Sequence, residues 1–284
     1  VCVYSLDVND NGNRETENQM NSVGSECYAV HCDVSDTEEI RKTFEEILQK
    51  EGGIDILVNN AAVFSTMSFV KDSYESALRD WAFNVDTNAR STFLCSKMAA
   101  PAMARRGSGE IVNIVTNHVK RYLFPPSNSE HSYDASKYAQ LALNESLAEE
   151  LHPYGIRVNA LCPASTRTPM LQEFFDNIGM ELTKETIGQV SGTASLFRPP
   201  AVSGQSALRV LLRCVVTGFT PFALPPFGGA QCSHAPPFLP SPPNPSTRRG
   251  PHRPALRFAP GGPPPAAEHP QGDQSCTLLF MLTG

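Results

Sequence analysis

The first 198 residues predict an α/β protein built on a doubly wound parallel sheet. Three observations carry this. The strand-like runs are continuously apolar rather than alternating, as in strands buried on both faces. Helix-period segments separate them. A polar residue follows each run, which is where ligands bind in open parallel sheets.

The elements follow in order. "VCVYSLD" reads as a strand ending in Asp7, and "ECYAVHCDV" as a second strand carrying Asp33 and Val34 at its end. "SDTEEIRKTFEEILQKEGG" reads as a helix: Ser35 and Glu38 form a capping box, Ile40, Phe44, Ile47 and Leu48 make an apolar stripe, and Gly52 stops it. "IDILVNNAA" is a buried strand running into the turn at Asn59, Asn60 and Ala61. A helix is expected from about Ser91 to Arg105, then the strand "GEIVNIV" followed by Thr116. A helix holding Tyr133 and Lys137 comes next, then the strand "IRVNALCP", after which stand Ser165, Thr166 and Thr168. One polar strand end is an ordinary turn; five in succession point to a ligand site.

Composition divides the chain. Of its 24 prolines, 18 lie beyond residue 198; the last lysine is Lys184, and only Glu268 and Asp273 are acidic after residue 198. Residues 1–198 are therefore read as the folded domain. Residues 199–284 are read as a proline-rich tail of low order, of the kind a shifted reading frame produces. The absent initiator Met and the strand-like opening suggest a chain entered from its left side. The net charge of −6 argues against nucleic acid. No uninterrupted apolar run of about 18 residues indicates a membrane span. Eight scattered cysteines without a CxxC pair read as reduced thiols of a cytoplasmic protein, with no metal expected.

Tyr133 and Lys137 stand four apart, on one helical face. Such pairs are common on helix surfaces. The alternative is chemical: a fixed cation favours the phenolate and makes a tyrosine, ordinarily near pKa ~10, a better proton exchanger.

The ordered set "DV" (33–34), "NNAA" (59–62), "DTN" (86–88), "YDASK" (133–137) and "PASTRTPM" (163–170) resembles the short-chain dehydrogenase/reductase family over roughly residues 1–198. The resemblance implies a Rossmann-type fold and an NAD(P)-dependent oxidoreductase acting on a secondary alcohol or ketone. It implies Tyr133 as general acid/base, Lys137 as the group that holds the nicotinamide ribose and lowers the phenol pKa, and Asn88 as holder of a relay water. Thr116 stands where a serine is usual; Asn117, Ser127 and Ser129 are alternatives. Asp7, Asp33, Val34, Asn59, Ala61, Pro163 and Thr168, with Tyr133 and Lys137, would line the cofactor, and Asp7 favours NAD over NADP. Family members are commonly dimers or tetramers, so a homo-oligomer is expected.

The chain departs from the family pattern. Ala62 and Ala164 stand where glycine is usual. No Gly-x-x-x-Gly-x-Gly turn occurs anywhere in the 284 residues. The family's first strand, which lies mid-sheet, is missing with that turn. The strands ending at Asp7 and Asn59 are thus expected to lack a neighbour between them, and the chain to fold poorly and hold its cofactor poorly. A noncatalytic protein of the same fold is the alternative reading. Lys120, Arg121 and Tyr122 are candidate substrate contacts, and residues 170–180 a candidate lid.

Overall fold

A computed structural model describes residues 2–119, 130–163, 165, 168–177, 179, 181–183, 195–197 and 277–281. All of them fall in one of the chain's two compact units, 1–205 with 265–284. Ser127, Ser129, Lys120, Arg121, Tyr122, Ala164, Thr166 and most of 199–284 lie outside the described residues.

The sheet has seven strands: β1 (Cys2–Asp7), β2 (Glu26–His31), β3 (Ile56–Asn59), β4 (Gly109–Ile114), β5 (Ile156–Cys162), β6 (Ser195–Phe197) and β7 (Thr277–Met281). Their order is β2-β1-β7-β3-β4-β5-β6, with only the β5–β6 pair antiparallel. The helices are α1 (Asp10–Ser22), α2 (Thr37–Glu51), α3 (Tyr74–Asn84), α4 (Ser91–Arg106), α5 (His131–Leu151) and α6 (Pro169–Asn177).

Two expectations need correction. The strands ending at Asp7 and Asn59 do have a neighbour. β7 runs parallel between them, Leu279 opposite both Tyr4 and Leu57, and Met281 opposite both Leu6 and Asn59. A strand from the segment read as a tail thus satisfies backbone groups that would otherwise be orphaned in mid-sheet. The cap of α2 is Asp36, not Ser35: its Oδ1 accepts from the amides of Glu38 at 2.8 Å and Glu39 at 3.2 Å. Gly52 ends that helix as expected, at φ 73.

α1 was not legible in the sequence. Its residues are almost wholly polar, and only Asn13 is buried. That side chain replaces apolar docking with hydrogen bonds, its Nδ2 donating to the carbonyls of Ser5 at 2.9 Å and Val30 at 3.1 Å. The helix therefore pins the ends of β1 and β2 without an apolar stripe.

The core is ordinary in chemistry. Leu6, Ile40, Phe44, Ile54, Leu57, Ile111, Ile156 and Val158 are fully buried between the sheet and its helices. Each contributes roughly 1.5–3 kcal/mol relative to exposure. Among the described residues no helix is long and apolar enough to cross a membrane.

Candidate functional site

Parallel registry brings the ends of β1, β7, β3, β4 and β5 to one edge: Asp7 aligns with His31, Asn59 with Asn113, and Ile114 with Leu161. Two groups of side chains gather there.

The first surrounds a cavity of about 530 Å³ whose lining includes Val8, Asp33, Val34, Ala61, Val63 and Arg90. Asp33, Val34 and Ala61 thus share one cavity lining. Asp33 is held by its own turn, Oδ1 accepting from the Ser35 amide at 2.8 Å. Asp7 is buried beside this region, and its Oδ1 accepts from the Asn9 amide at 2.9 Å.

The second group centres on α5. Tyr133 and Lys137 are both buried and share one face of the helix. The Lys137 ammonium donates to the Ile114 carbonyl, the last residue of β4, at 3.0 Å. It lies 5.7 Å from the centre of the Tyr133 ring. Two residues beyond Ile114 comes Thr116, whose hydroxyl is close enough to the Tyr133 phenol to act on its titration. The end of β4 therefore brings a group to each of the two side chains of the helix. Phe64 closes the other side of the phenol, edge-on with ring centres 5.0 Å apart.

The electrostatics differ from expectation. Burial pushes the Tyr133 phenol above its ordinary range; the Thr116 hydroxyl works against this, while Glu130 and Asp134 add to it. Burial pulls Lys137 down from 10.5 to about 7. Lysine has therefore not lowered the phenol: burial disfavours the charged form of both groups, and the Glu130 and Asp134 carboxylates push the phenol further up.

Asn88 lies in a π-helical turn, Val85–Arg90, between α3 and α4. The extra residue of such a turn re-aims a side chain, and these turns are frequent at functional sites. Asn88 Oδ1 accepts from the Val63 amide at 2.8 Å, and its Nδ2 donates to the Val63 carbonyl at 3.0 Å and Ser136 Oγ at 3.0 Å. Because Val63 also lines the cavity, Asn88 ties the two groups together. Of the alternatives to Thr116, Asn117 is buried, with its Nδ2 unpaired. Pro163 contributes its carbonyl to the Asn117 amide at 3.1 Å. Thr168 caps the first turn of α6, Oγ1 accepting from the Leu171 amide at 3.2 Å. In the candidate lid, Phe175 is fully buried and packs instead of standing open.

Several contributors were missed in the sequence. Asn59 Nδ2 donates to Asn113 Oδ1 at 2.8 Å and to Ser96 Oγ at 3.1 Å, and Asn113 Nδ2 donates to Asn144 Oδ1 at 3.1 Å. This buried amide chain crosses from β3 through β4 to α5. The signal available was an asparagine inside an apolar strand, at position 113. His118 was also missed. Burial alone would lower its pKa, but a hydrogen bond to Asp134 and the adjoining Glu130 carboxylate raise it to about 9.

A nicotinamide dinucleotide can be tested against these residues. Its two ends fit. Asn59 Oδ1 is buried without a partner at the end of β3. Lys137 has spare donors, and the cavity is mainly apolar, with Asp33, Ser35, Asp86, Thr87 and Arg90 as its polar lining. The central pyrophosphate finds no glycine-rich turn in the sequence.

Residues 1–179 match the short chain dehydrogenase family. An uncharacterized oxidoreductase of Thermotoga maritima is 32% identical over 166 residues, 58% of this chain and 62% of that one. Farnesol dehydrogenase of Aedes aegypti is 38% identical over 151 residues, 51% of this chain and 59% of that one. The chain spans about 60% of the length of these curated relatives. Among solved structures, an actinorhodin polyketide ketoreductase with NADPH superposes with a TM-score of 0.57 at 29% identity, covering 64% of this chain and 69% of that one. A 7α-hydroxysteroid dehydrogenase complexed with NADH gives 0.54 at 26% identity, covering 61% and 64%. With the family match extending over more than half its length, on a sheet of the same kind, this chain belongs to the short-chain dehydrogenase family.

Proposed function

We propose that the chain carries the acid–base machinery of an oxidoreductase that moves a hydride between NAD(H) and a secondary alcohol or ketone. The observation that carries this reading is the pair of buried groups, Tyr133 and Lys137, with Thr116 and the Ile114 carbonyl beside them at the end of β4. Burying an ammonium with a single hydrogen bond is costly, and buried groups with shifted titration cluster at functional sites.

The dinucleotide, when bound, supplies or takes the hydride. Thr116 donates to the substrate oxygen and orients it. Tyr133 gives that oxygen its proton during reduction and removes it during oxidation, assistance worth about 10²–10⁴ in rate. Lys137 turns its remaining hydrogens toward the nicotinamide ribose and, once recharged by those contacts, favours the phenolate. Asn88 fixes Val63 and, through Ser136, the register of α5. Asp7 accepts from the adenosine ribose and repels a 2′-phosphate, so NAD is preferred to NADP. Asp33, Val34, Asn59 and Ala61 hold the adenosine side, and Pro163 and Thr168 border the nicotinamide side. Without the glycine turn, the pyrophosphate is held weakly. Domain 1–198 with β7 is the working unit, and α4 and α5 are the faces through which copies would assemble.

The test mixes the full chain with millimolar NADH and a panel of ketones, following absorbance at 340 nm. Slow turnover that Tyr133→Phe lowers by at least about a hundredfold is expected. Turnover unchanged in that variant refutes the acid–base assignment. NADH binding by fluorescence without any turnover supports the second reading, a noncatalytic protein of the same fold.

A further inference from the structure

Beside the α5 pair stands a cluster that this chemistry does not use. His118 lies in a short 3-10 turn, Asn117–Val119, just beyond Thr116. Glu130 precedes α5 and Asp134 is in its first turn. His118 Nδ1 is 3.2 Å from Asp134 Oδ1 and 3.3 Å from Glu130 Oε2, and one atom from each residue lies within 4.8 Å of the others.

Two further facts distinguish this from an ordinary surface ion pair. Glu130 is only 3% exposed, and its Oε2 is sealed from solvent without a hydrogen-bond partner. The single Nδ1 hydrogen is aligned on Asp134 instead. Glu130 also occupies the N-cap position of α5 yet makes no capping bond to the helix amides. An acid at that position would ordinarily turn toward those amides. Its carboxylate faces the histidine instead, with Oε2 3.3 Å from Nδ1 but outside hydrogen-bond alignment, so this buried oxygen has that one ion pair alone. A buried carboxylate oxygen so thinly satisfied is costly, and a metal ion would meet it more fully.

The spacing suits an ion better than one proton shared three ways. Ligands at about 2.0–2.2 Å from a small divalent cation lie roughly 3.0–3.5 Å from one another in tetrahedral or octahedral geometry. Both separations from Nδ1 fall in that interval. We propose that His118, Glu130 and Asp134 form a divalent cation site, with one imidazole nitrogen, two carboxylate oxygens and water as ligands. Binding releases the Nδ1 proton to solvent. A mixed nitrogen and oxygen set suits Mn²⁺ or Zn²⁺ rather than a thiophilic ion. The ion would clasp the turn that follows Thr116 to the start of the helix that carries Tyr133, whose ring centre is 6.1 Å from that of His118. The sequence reading expected no metal, because these ligands converge only through the fold.

The test uses the chelator-stripped full chain and Mn²⁺ alone, with free ion counted by electron paramagnetic resonance. Mn²⁺ avoids confusion with the cysteine thiols. One ion per chain is expected, weakened at least about tenfold by Glu130→Gln and by His118→Gln, each with an unchanged far-ultraviolet dichroism spectrum. No binding below millimolar Mn²⁺, or binding as tight as wild type in both variants, overturns the site and leaves an ion pair only. Should either variant unfold, wild-type bound Mn²⁺ decides: electron spin-echo modulation from one imidazole ¹⁴N supports the site, and its absence overturns it. Neither readout requires turnover, so failure here is separable from failure of the oxidoreductase reading.

Discussion

Lys137→Met should stabilise the unliganded chain while removing its proposed activity. Burial draws the ammonium from 10.5 to about 7, which corresponds to roughly 5 kcal/mol of unfavourable desolvation when the amine is charged. This is an upper bound, because partial water penetration relaxes such sites. Methionine matches the stem in volume but leaves the Ile114 carbonyl without its 3.0 Å donor, at a cost of about 1–3 kcal/mol. A net gain of about 2 kcal/mol is expected at pH 6. The sign with pH follows from proton binding. Between about pH 7 and 10.5 the unfolded lysine holds a proton that the folded one lacks, so wild-type stability rises with pH across that window. The advantage of the methionine variant should therefore shrink from pH 6 to pH 9.5 and approach the lost hydrogen bond alone. Urea unfolding of both proteins at the two pH values measures this. A difference independent of pH, or a variant less stable at pH 6, refutes the claim that the amine is desolvated at rest.

Leu279→Pro removes a backbone donor from a strand paired on both sides and should cost about 3 kcal/mol or more, with faster amide exchange along β1 and β3; unchanged exchange there would contradict the seven-strand order. Asp7→Ser should shift the ratio of NADH to NADPH affinity toward NADPH by at least about tenfold, read by fluorescence titration, because a buried anion facing a 2′-phosphate is removed. Gly155→Ala should lower the melting temperature through a loss of about 2–4 kcal/mol: its φ is +72, and a Cβ there would meet the Gly107 carbonyl oxygen at 2.2 Å.

Parts of this architecture were legible because their physics is local. α2 could be read from its stripe and its stop at Gly52, although the capping residue slipped by one, from Ser35 to Asp36, since either side chain suits the role. β1, β3, β4 and β5 were visible as apolar runs, and the Tyr133–Lys137 spacing survives as a shared helix face. What escaped depends on contacts distant in sequence. α1 docks through Asn13 rather than an apolar stripe, which no periodicity reveals. The π-helical turn at Asn88 has no sequence period of its own. The direction of the Tyr133 shift was misjudged because charge alone was weighed, whereas burial acts on both partners at once. His118 and Glu130 meet only after β4 and α5 have packed.

The placement of β7 also bears on how the molecule is made. Its middle strand is drawn from residues 277–281, whereas the strands on either side were synthesised as residues 2–7 and 56–59. A ribosome would have emitted residues 60–276 after β3 before that central ladder could close. Both flanking edges must wait exposed during translation, a topology that favours slow maturation and gives chaperones a long interval in which to act.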